Sequence, residues 1–111
     1  MSNVFETGLW GERRAAAYLK RQGMRILEKR FRTPHGEIDL IAQDRDTLVF
    51  VEVKARPNGN EGDGLLAVNA KKRGHLRYAA QVYLRSHPWE QVRFDVIEIS
   101  GAGLQHIKNA F

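Results

Sequence analysis

The chain has 111 residues, enough for one modest hydrophobic core, and we expect a single domain over residues 1–111. It contains no cysteine, which excludes disulfides and thiolate chemistry, and no apolar run approaches the roughly 20 residues that span a bilayer. A net charge of +5 favours a polyanionic partner such as nucleic acid rather than a membrane. The N-terminus lacks the pattern of a signal peptide, so we expect a cytoplasmic protein.

The first segment, residues 3–23, has the pattern of a helix. Asn3 with a glutamate three positions later is typical of a helix start, and Gly23 of a helix stop. Glu12 falls on the same stripe as the apolar Leu9 and Ala16. Two interpretations stay open for Glu12: it pairs with a neighbouring arginine at the border of the stripe, or it reaches toward an acidic site on the next strands.

Residues 24–31 predict a strand, although their alternation is poor. Arg30, Arg32 and His35 then cluster around a Thr-Pro turn. Arg32 and His35 are candidates for contacts to phosphate groups, and simple exposure to solvent is the alternative for each.

Residues 37–41 and 48–54 read as two strands that a polar turn would pair antiparallel. Strict alternation in the first strand predicts that Ile38 and Leu40 lie on the face opposite Asp39.

This strand pair predicts a small charged patch of Asp39, Glu52 and Lys54. Alternation puts Glu52 and Lys54 on one face of the second strand, and the antiparallel pairing puts Asp39 beside Glu52. Carboxylates in contact repel unless they are compensated, and Mg²⁺ or Mn²⁺ would compensate both, because such ions prefer oxygen ligands. The lysine would then orient a water or stabilise charge on a phosphate. The alternative is a solvated face with ordinary cross-strand ion pairs.

Residues 55–64 are rich in turn-forming residues and predict a loop beside the patch, in which Arg56 is the candidate for a nucleic-acid contact. Residues 65–86 predict a helix, with Asn69 as its cap if the regular part begins there. Lys72 lies one turn before the inward stripe, so it either carries its ammonium group to the edge of the site or is an exposed lysine. The inward stripe consists of Leu76, Ala79, Ala80 and Tyr83.

Residues 92–99 predict the next strand, and the strand-helix-strand order predicts a right-handed crossover with parallel pairing to residues 48–54. We expect Asp95 to pair with Arg93 or a helix residue, although it could also approach the site. Residues 104–107 could add a short edge strand.

The element order helix-strand-strand-strand-helix-strand, with a carboxylate in the second strand and Glu-x-Lys in the third, resembles the restriction-endonuclease-like nuclease core. Its signature is Pro-Asp, a variable gap, and then an acidic residue, any residue and lysine. Here Ile38 precedes Asp39, and Glu52 and Lys54 flank Val53. The resemblance implies an α/β fold with a mixed sheet flanked by helices.

A fuller set of motifs resembles the YraN family of small bacterial proteins and covers almost the whole chain. The motifs are Gly8-x-x-Gly11-Glu12, Gly36-Glu37-Ile38-Asp39-Leu40-Ile41, Val49-Phe50-Val51-Glu52-Val53-Lys54, Ala67-Val68 followed by Lys72, Arg93-Phe94-Asp95-Val96 and Asn109-Ala110-Phe111. That family is similar to archaeal Holliday-junction resolvases, and its own biochemical role is largely unassigned. The loop departs from the pattern, with Glu61 where an aromatic residue commonly stands.

The resemblance implies Asp39 and Glu52 as metal ligands, with the main-chain carbonyl of Val53 and the helix carboxylate of Glu12 completing the set. It implies Lys54 as the residue that orients the attacking water. The resemblance also implies that a polar residue of the second helix lies at the site, and the residue at the matching position here is Lys72.

The function predicted on this basis is a Mg²⁺-dependent or Mn²⁺-dependent endonuclease that acts on DNA, with branched or structured DNA as the preferred form. The alternative is a non-catalytic nucleic-acid-binding module on the same scaffold, and a protein-interaction role is a third hypothesis. A homodimer would suit a resolvase-like enzyme, and Trp10 or Trp89 could serve it, although a core position fits either tryptophan better.

Overall fold

The structure, a computed structural model, describes residues 4–56 and 68–111, with side chains from residue 8 onward. The predicted start signal at Asn3 and the loop positions 57–64, including Glu61, lie outside the described residues. The elements in chain order are α1 (Val4–Arg21), β1 (Arg25–Thr33), β2 (Gly36–Asp44), β3 (Thr47–Arg56), α2 (Ala70–Ser86), β4 (Gln91–Ser100) and β5 (Gly103–Ile107). None of the described helices is long and apolar enough to cross a membrane.

The five strands form one mixed sheet in the order β1-β2-β3-β4-β5. Neighbouring strands are antiparallel except β3 and β4, which are parallel and joined through α2. This arrangement confirms the predicted α/β class, the parallel crossover and the short edge strand β5. The two helices pack on opposite faces of the sheet and give it two hydrophobic clusters.

Strict alternation along β3 divides its side chains between these two clusters. Val49 and Val51 pack with α1, whereas Leu48 and Phe50 pack with α2. Glu52 continues the second series, so its carboxylate lies on the face covered by α2. The prediction made from this alternation is confirmed.

The prediction that Ile38 and Leu40 share a face of β2 is wrong. Ile38 packs in the α2 cluster, whereas Leu40 packs in the α1 cluster. The alternation breaks at Asp39 because the pairing of β2 with β3 starts only at Leu40, opposite Val51. In place of a ladder bond, the Asp39 carboxylate accepts a hydrogen bond of 2.8 Å from the Val53 amide.

The poor alternation of β1 has two structural causes. Its register against β2 shifts between Ile26 and Glu28, and Arg30 adopts a left-handed conformation with φ of 53°. A bulge and a left-handed residue each turn the following side chains away from a regular period of two.

The second helix begins at Ala70, and Asn69 caps it by accepting a hydrogen bond of 3.0 Å from the Lys72 amide. Val68 therefore precedes the helix, and residues 65–67 of the predicted helix lie outside the described residues. The inward stripe is confirmed, since all four of its predicted members are buried.

The two tryptophans differ in burial. Trp89 is partly buried: it packs against the α2 cluster and donates a hydrogen bond of 2.8 Å to the Asp46 carbonyl, so it lies at the edge of the core and not within it. Trp10 is 44% exposed beneath the Arg14 guanidinium, so the core prediction is wrong for it. The reason is its place on α1, where the buried side of the helix carries Ala15 and Leu19 and Trp10 lies off that side.

Candidate metal centre

The centre of the site is the pair of Asp39 and Glu52, whose carboxyl groups are in contact where β2 and β3 separate. Burial, the contact with Glu52 and the charge of Glu52 raise the pKa of Asp39 to about 8. The Val53 amide and the Lys72 ammonium group act in the opposite direction. The pair therefore holds a proton at neutral pH, as two carboxyl groups in contact do elsewhere.

Lys72 supplies the nearest positive charge to this pair. Its Nζ lies 3.2 Å from Oε2 of Glu52, a side chain that is only 4% exposed. The Oε2 atom nevertheless accepts no hydrogen bond of good geometry. A buried carboxylate oxygen without a hydrogen bond is costly, so the compensation by Lys72 is incomplete.

Lys54 lies two residues beyond Glu52 on β3 and is half-buried. Its register partner on the parallel strand β4 is Glu98, which is 2% exposed. Sequence reasoning did not single out Glu98, although its alternation with Phe94 and Val96 already places it on the α2 face.

Glu12 lies near the acidic pair and is held by Arg30. The Arg30 Nε donates to both carboxylate oxygens of Glu12, at 2.9 and 3.2 Å. Burial raises the pKa of Glu12 and the charge of Asp39 adds to that rise, while Arg30 lowers it. Glu12 and Asp39 line one cavity of about 230 Å³ together with Val53. The arginine partner, one of the two interpretations of Glu12, is confirmed.

The described part of the chain contains no group of three or more histidine, cysteine or acidic side chains that could hold a metal ion. The donor set near the site is therefore the Asp39 and Glu52 pair with the main chain beside it. These donors fit a hard divalent ion such as Mg²⁺ or Mn²⁺, which binds oxygen and keeps several waters. The Oε2 atom of Glu52 is buried, accepts no hydrogen bond and has only the ion pair with Lys72, so it is an acceptor that such an ion would satisfy.

Three of the four predicted nucleic-acid contacts lie together. Arg32, His35 and Lys72 line a cavity of about 520 Å³ between the β1–β2 turn and α2, which we call the turn pocket. Pro34, Glu37 and His75 also line this pocket. The fourth predicted residue, Arg56, is exposed at the end of β3.

Asp95 does not approach this site. It pairs with Arg93 at 3.0 Å, as expected, and accepts a hydrogen bond of 2.7 Å from Nε2 of His106. Burial raises the pKa of Asp95, but the His106 and Arg93 contacts outweigh it and hold that pKa below its usual range. His106 also contacts the Tyr18 hydroxyl at 3.1 Å. Nothing in the local sequence around His106 indicates this buried network.

The fold and the site define an α/β protein with a five-stranded mixed sheet between two helices, consistent with a restriction-endonuclease-like core. Residues 11–99 match the family described as Uncharacterised protein family UPF0102. The chain belongs to this family, which is the YraN family of the sequence resemblance.

Several curated relatives carry the same family name. A UPF0102 protein of Syntrophomonas wolfei is 44% identical over 96% of this chain and 97% of its own length. A UPF0102 protein of Bradyrhizobium sp. strain BTAi1 is 48% identical over 97% of this chain and 81% of its own. One of Thermodesulfovibrio yellowstonii is 46% identical, with 96% of each chain covered. These relatives match nearly the whole length of this chain, and their names state the family but no activity.

Proposed function

We propose that this protein is a metal-dependent endonuclease that hydrolyses phosphodiester bonds in DNA, with branched or structured DNA as its preferred form. The observation that carries the proposal is the contact between Asp39 and Glu52. Two carboxyl groups in contact cost stability, and a pKa of about 8 for Asp39 reports that cost. Natural proteins keep such costs at functional sites, where a ligand repays them.

Asp39 and Glu52 would hold Mg²⁺ or Mn²⁺, together with the main-chain carbonyl of Val53. When bound, such an ion polarises the scissile phosphate and lowers the pKa of a bound water. The Val53 amide keeps the Asp39 carboxylate turned toward Glu52. Glu12 would have to leave Arg30 before it could join the ligands, so we assign it a place at the border of the site.

Lys54 would orient the attacking water and stabilise the charge that develops on the phosphate. The water would attack phosphorus in line and release a proton to solvent, the phosphorus–oxygen bond on the opposite side would break, and the leaving oxygen would take up a proton from solvent. Lys72, Arg32 and His35 would bind the strand through the turn pocket, and Arg56 would contact it beyond the end of β3.

A non-catalytic nucleic-acid-binding module is the second candidate, and one observation favours it. The ammonium group of Lys72 already lies against Glu52, and the raised pKa of Asp39 favours its protonated form, so the pair is partly neutralised without a metal. The basic residues of α2 would then supply the affinity, which should fall steeply with salt. A homodimer stays a prediction, for which the exposed Trp10 is the available aromatic contact.

A cleavage assay separates the two candidates. Four-way junction, flap, duplex and single-stranded DNA are incubated with the protein in Mg²⁺ or Mn²⁺, and products are resolved on denaturing gels. We expect metal-dependent cutting that drops by about 100-fold or more in Asp39→Asn and in Lys54→Ala. Asp46→Asn is the matched control, because Asp46 is an exposed carboxylate in the β2–β3 turn.

Cutting that persists equally in Asp39→Asn and Lys54→Ala would end the catalytic proposal. DNA binding without any metal-dependent cutting would favour the binding module instead. Circular dichroism of each variant shows that a loss of activity is not a loss of fold.

A further inference from the structure

The turn pocket is a preformed cavity that sits directly beside the acidic pair. Its volume of about 520 Å³ falls in the range of roughly 300 to 1,000 Å³ that is usual for small-ligand sites, and a nucleotide is a ligand of that size. Lys72 belongs to both places, since it lines the pocket and its ammonium group contacts Glu52. Arg32 lines both the turn pocket and the smaller cavity that contains Asp39.

The lining of the pocket combines ring surfaces with charged groups. His35, His75 and Pro34 present ring surfaces, and Lys72 and Arg32 present positive charge. Glu37 adds one carboxylate, which lies 3.6 Å from Arg32, so the two cations outnumber it. Ring surfaces bind unstacked bases, and cations bind the phosphates on either side of them. His35 is exposed and packs edge to face with Tyr78, at 5.5 Å between ring centroids and 77° between planes. That contact holds its ring in place and covers at most one of its two faces.

The shape of the pocket is fixed by a close approach of the β1–β2 turn to α2. A Cβ atom added at Gly36 would lie 2.5 Å from the carbonyl oxygen of His75, closer than real Cβ contacts allow. Only glycine lets the turn rest on the helix at this distance. The pocket therefore needs little rearrangement to receive a ligand, which lowers the cost of binding.

We propose that the turn pocket holds one unpaired nucleotide of a DNA strand, next to the phosphate on which Asp39 and Glu52 act. The inference rests on the proposed function and names its substrate class. A base in a duplex is paired and stacked, so it enters such a pocket only after it leaves the stack. Single strands, flaps, bulges and open junction arms offer that base freely, whereas an intact duplex does not.

The test measures binding apart from cutting. Fluorescence anisotropy gives the Kd of the full chain, with Ca²⁺ in place of Mg²⁺, for a single strand, a duplex with a one-nucleotide bulge and an intact duplex. A 2-aminopurine at the unpaired position reports whether that base stacks on protein. We expect the single strand and the bulge to bind at least tenfold more tightly than the intact duplex. His35→Ala should weaken binding of both by about 5- to 150-fold, which corresponds to the loss of one base stacked on a ring.

The matched control is His87→Ala. His87 is also an exposed histidine packed on a tyrosine of α2, stacked on Tyr83 at 4.2 Å, but it lies at the far end of the helix. The His87→Ala substitution should leave the affinities for the single strand, the bulged duplex and the intact duplex unchanged. His75→Ala is a second variant in the pocket and should act like His35→Ala, because His75 is exposed on α2 and its removal should leave the helix intact.

Equal affinity for duplex and unpaired DNA, or equal binding by His35→Ala and His87→Ala, would overturn the pocket assignment even if the protein cuts DNA. Conversely, selective binding of unpaired DNA without any metal-dependent cutting would uphold the pocket and end the catalytic proposal. The two failures are therefore distinguishable.

Discussion

Replacing Asp39 by asparagine should stabilise the metal-free protein at high pH and remove its ability to bind metal. Asparagine has nearly the same shape, and its amide oxygen can still accept the hydrogen bond from the Val53 amide. Its amide group can also donate to Glu52, whereas an ionised Asp39 repels Glu52. The substitution therefore removes the cost of the carboxyl pair and keeps its geometry.

The magnitude follows from the pKa of Asp39, which is raised from 3.8 to about 8. Between these values the folded protein holds a proton that the unfolded chain has lost, so the free energy of unfolding falls as the pH rises through this window. Each pH unit costs at most about 1.4 kcal/mol. From pH 6 to pH 9 the wild type should lose about 2 kcal/mol, allowing for the part of the site that water reaches.

Urea denaturation in EDTA at pH 6 and pH 9 measures this difference. Asp39→Asn should lose this pH dependence, so its stability relative to the wild type should rise by about 2 kcal/mol between pH 6 and pH 9. Mn²⁺ should stabilise the wild type but not the variant. Asp46→Asn is the exposed control. It removes one carboxylate but leaves Asp39 and Glu52 in place, so it should keep the pH dependence of the wild type. If Asp39→Asn and Asp46→Asn follow the same pH profile, the reasoning about the carboxyl pair is refuted.

Lys72→Met should lower the stability of the metal-free protein by about 2 kcal/mol, because it leaves the buried carboxylate of Glu52 without its counter-charge, and Mn²⁺ should restore part of the loss. Asp95→Asn should lower stability by about 3 kcal/mol at pH 7, since Asp95 accepts charge-assisted hydrogen bonds. That loss should shrink as the pH falls below the ordinary aspartate pKa, because the folded pKa of Asp95 is lowered. Gly11→Ala should destabilise α1 against β3 by about 1 to 3 kcal/mol through overcrowding, whereas Gly8→Ala should add up to about 1 kcal/mol of helix stability.

The same urea titrations measure these variants, and each has an outcome that would count against its physical reason. A Lys72→Met protein as stable as the wild type would show that Glu52 does not need the ammonium group. An Asp95→Asn loss that is as large at pH 3 as at pH 7 would show that the carboxylate charge is not what stabilises the fold there. Gly11→Ala and Gly8→Ala with equal stability would show that α1 has room to move away from β3.

The regular parts of the fold could be predicted because their signals are local. Strict alternation in residues 48–54 predicts which face of the sheet carries Glu52. Two parallel strands joined through a helix almost always form a right-handed crossover, so the connection of β3 to β4 could also be predicted. Asn69 could be identified as a cap because the capping hydrogen bond joins residues three apart. For the same reason, Lys72 could be placed on the side of α2 that carries Leu76.

The irregular parts of the fold depend on contacts between segments that are distant in sequence, and no local sequence pattern predicts these contacts. The break of alternation at Asp39 arises where the ladder between β2 and β3 stops. The partner of Glu12 is Arg30, which has a left-handed backbone conformation within β1. Glycine or asparagine would indicate such a conformation in a sequence, whereas arginine does not. The contact between Asp95 and His106 joins neighbouring strands, and the register that creates it becomes visible only in the sheet.

The most direct measurement is a crystal structure of the protein soaked in Mn²⁺, with the ion located by its anomalous scattering. We predict one ion bound by carboxylate oxygens of both Asp39 and Glu52, with the Lys72 ammonium group moved away from Oε2 of Glu52. Manganese bound only elsewhere, with Lys72 still against Glu52, would contradict the metal centre and with it the proposed nuclease activity.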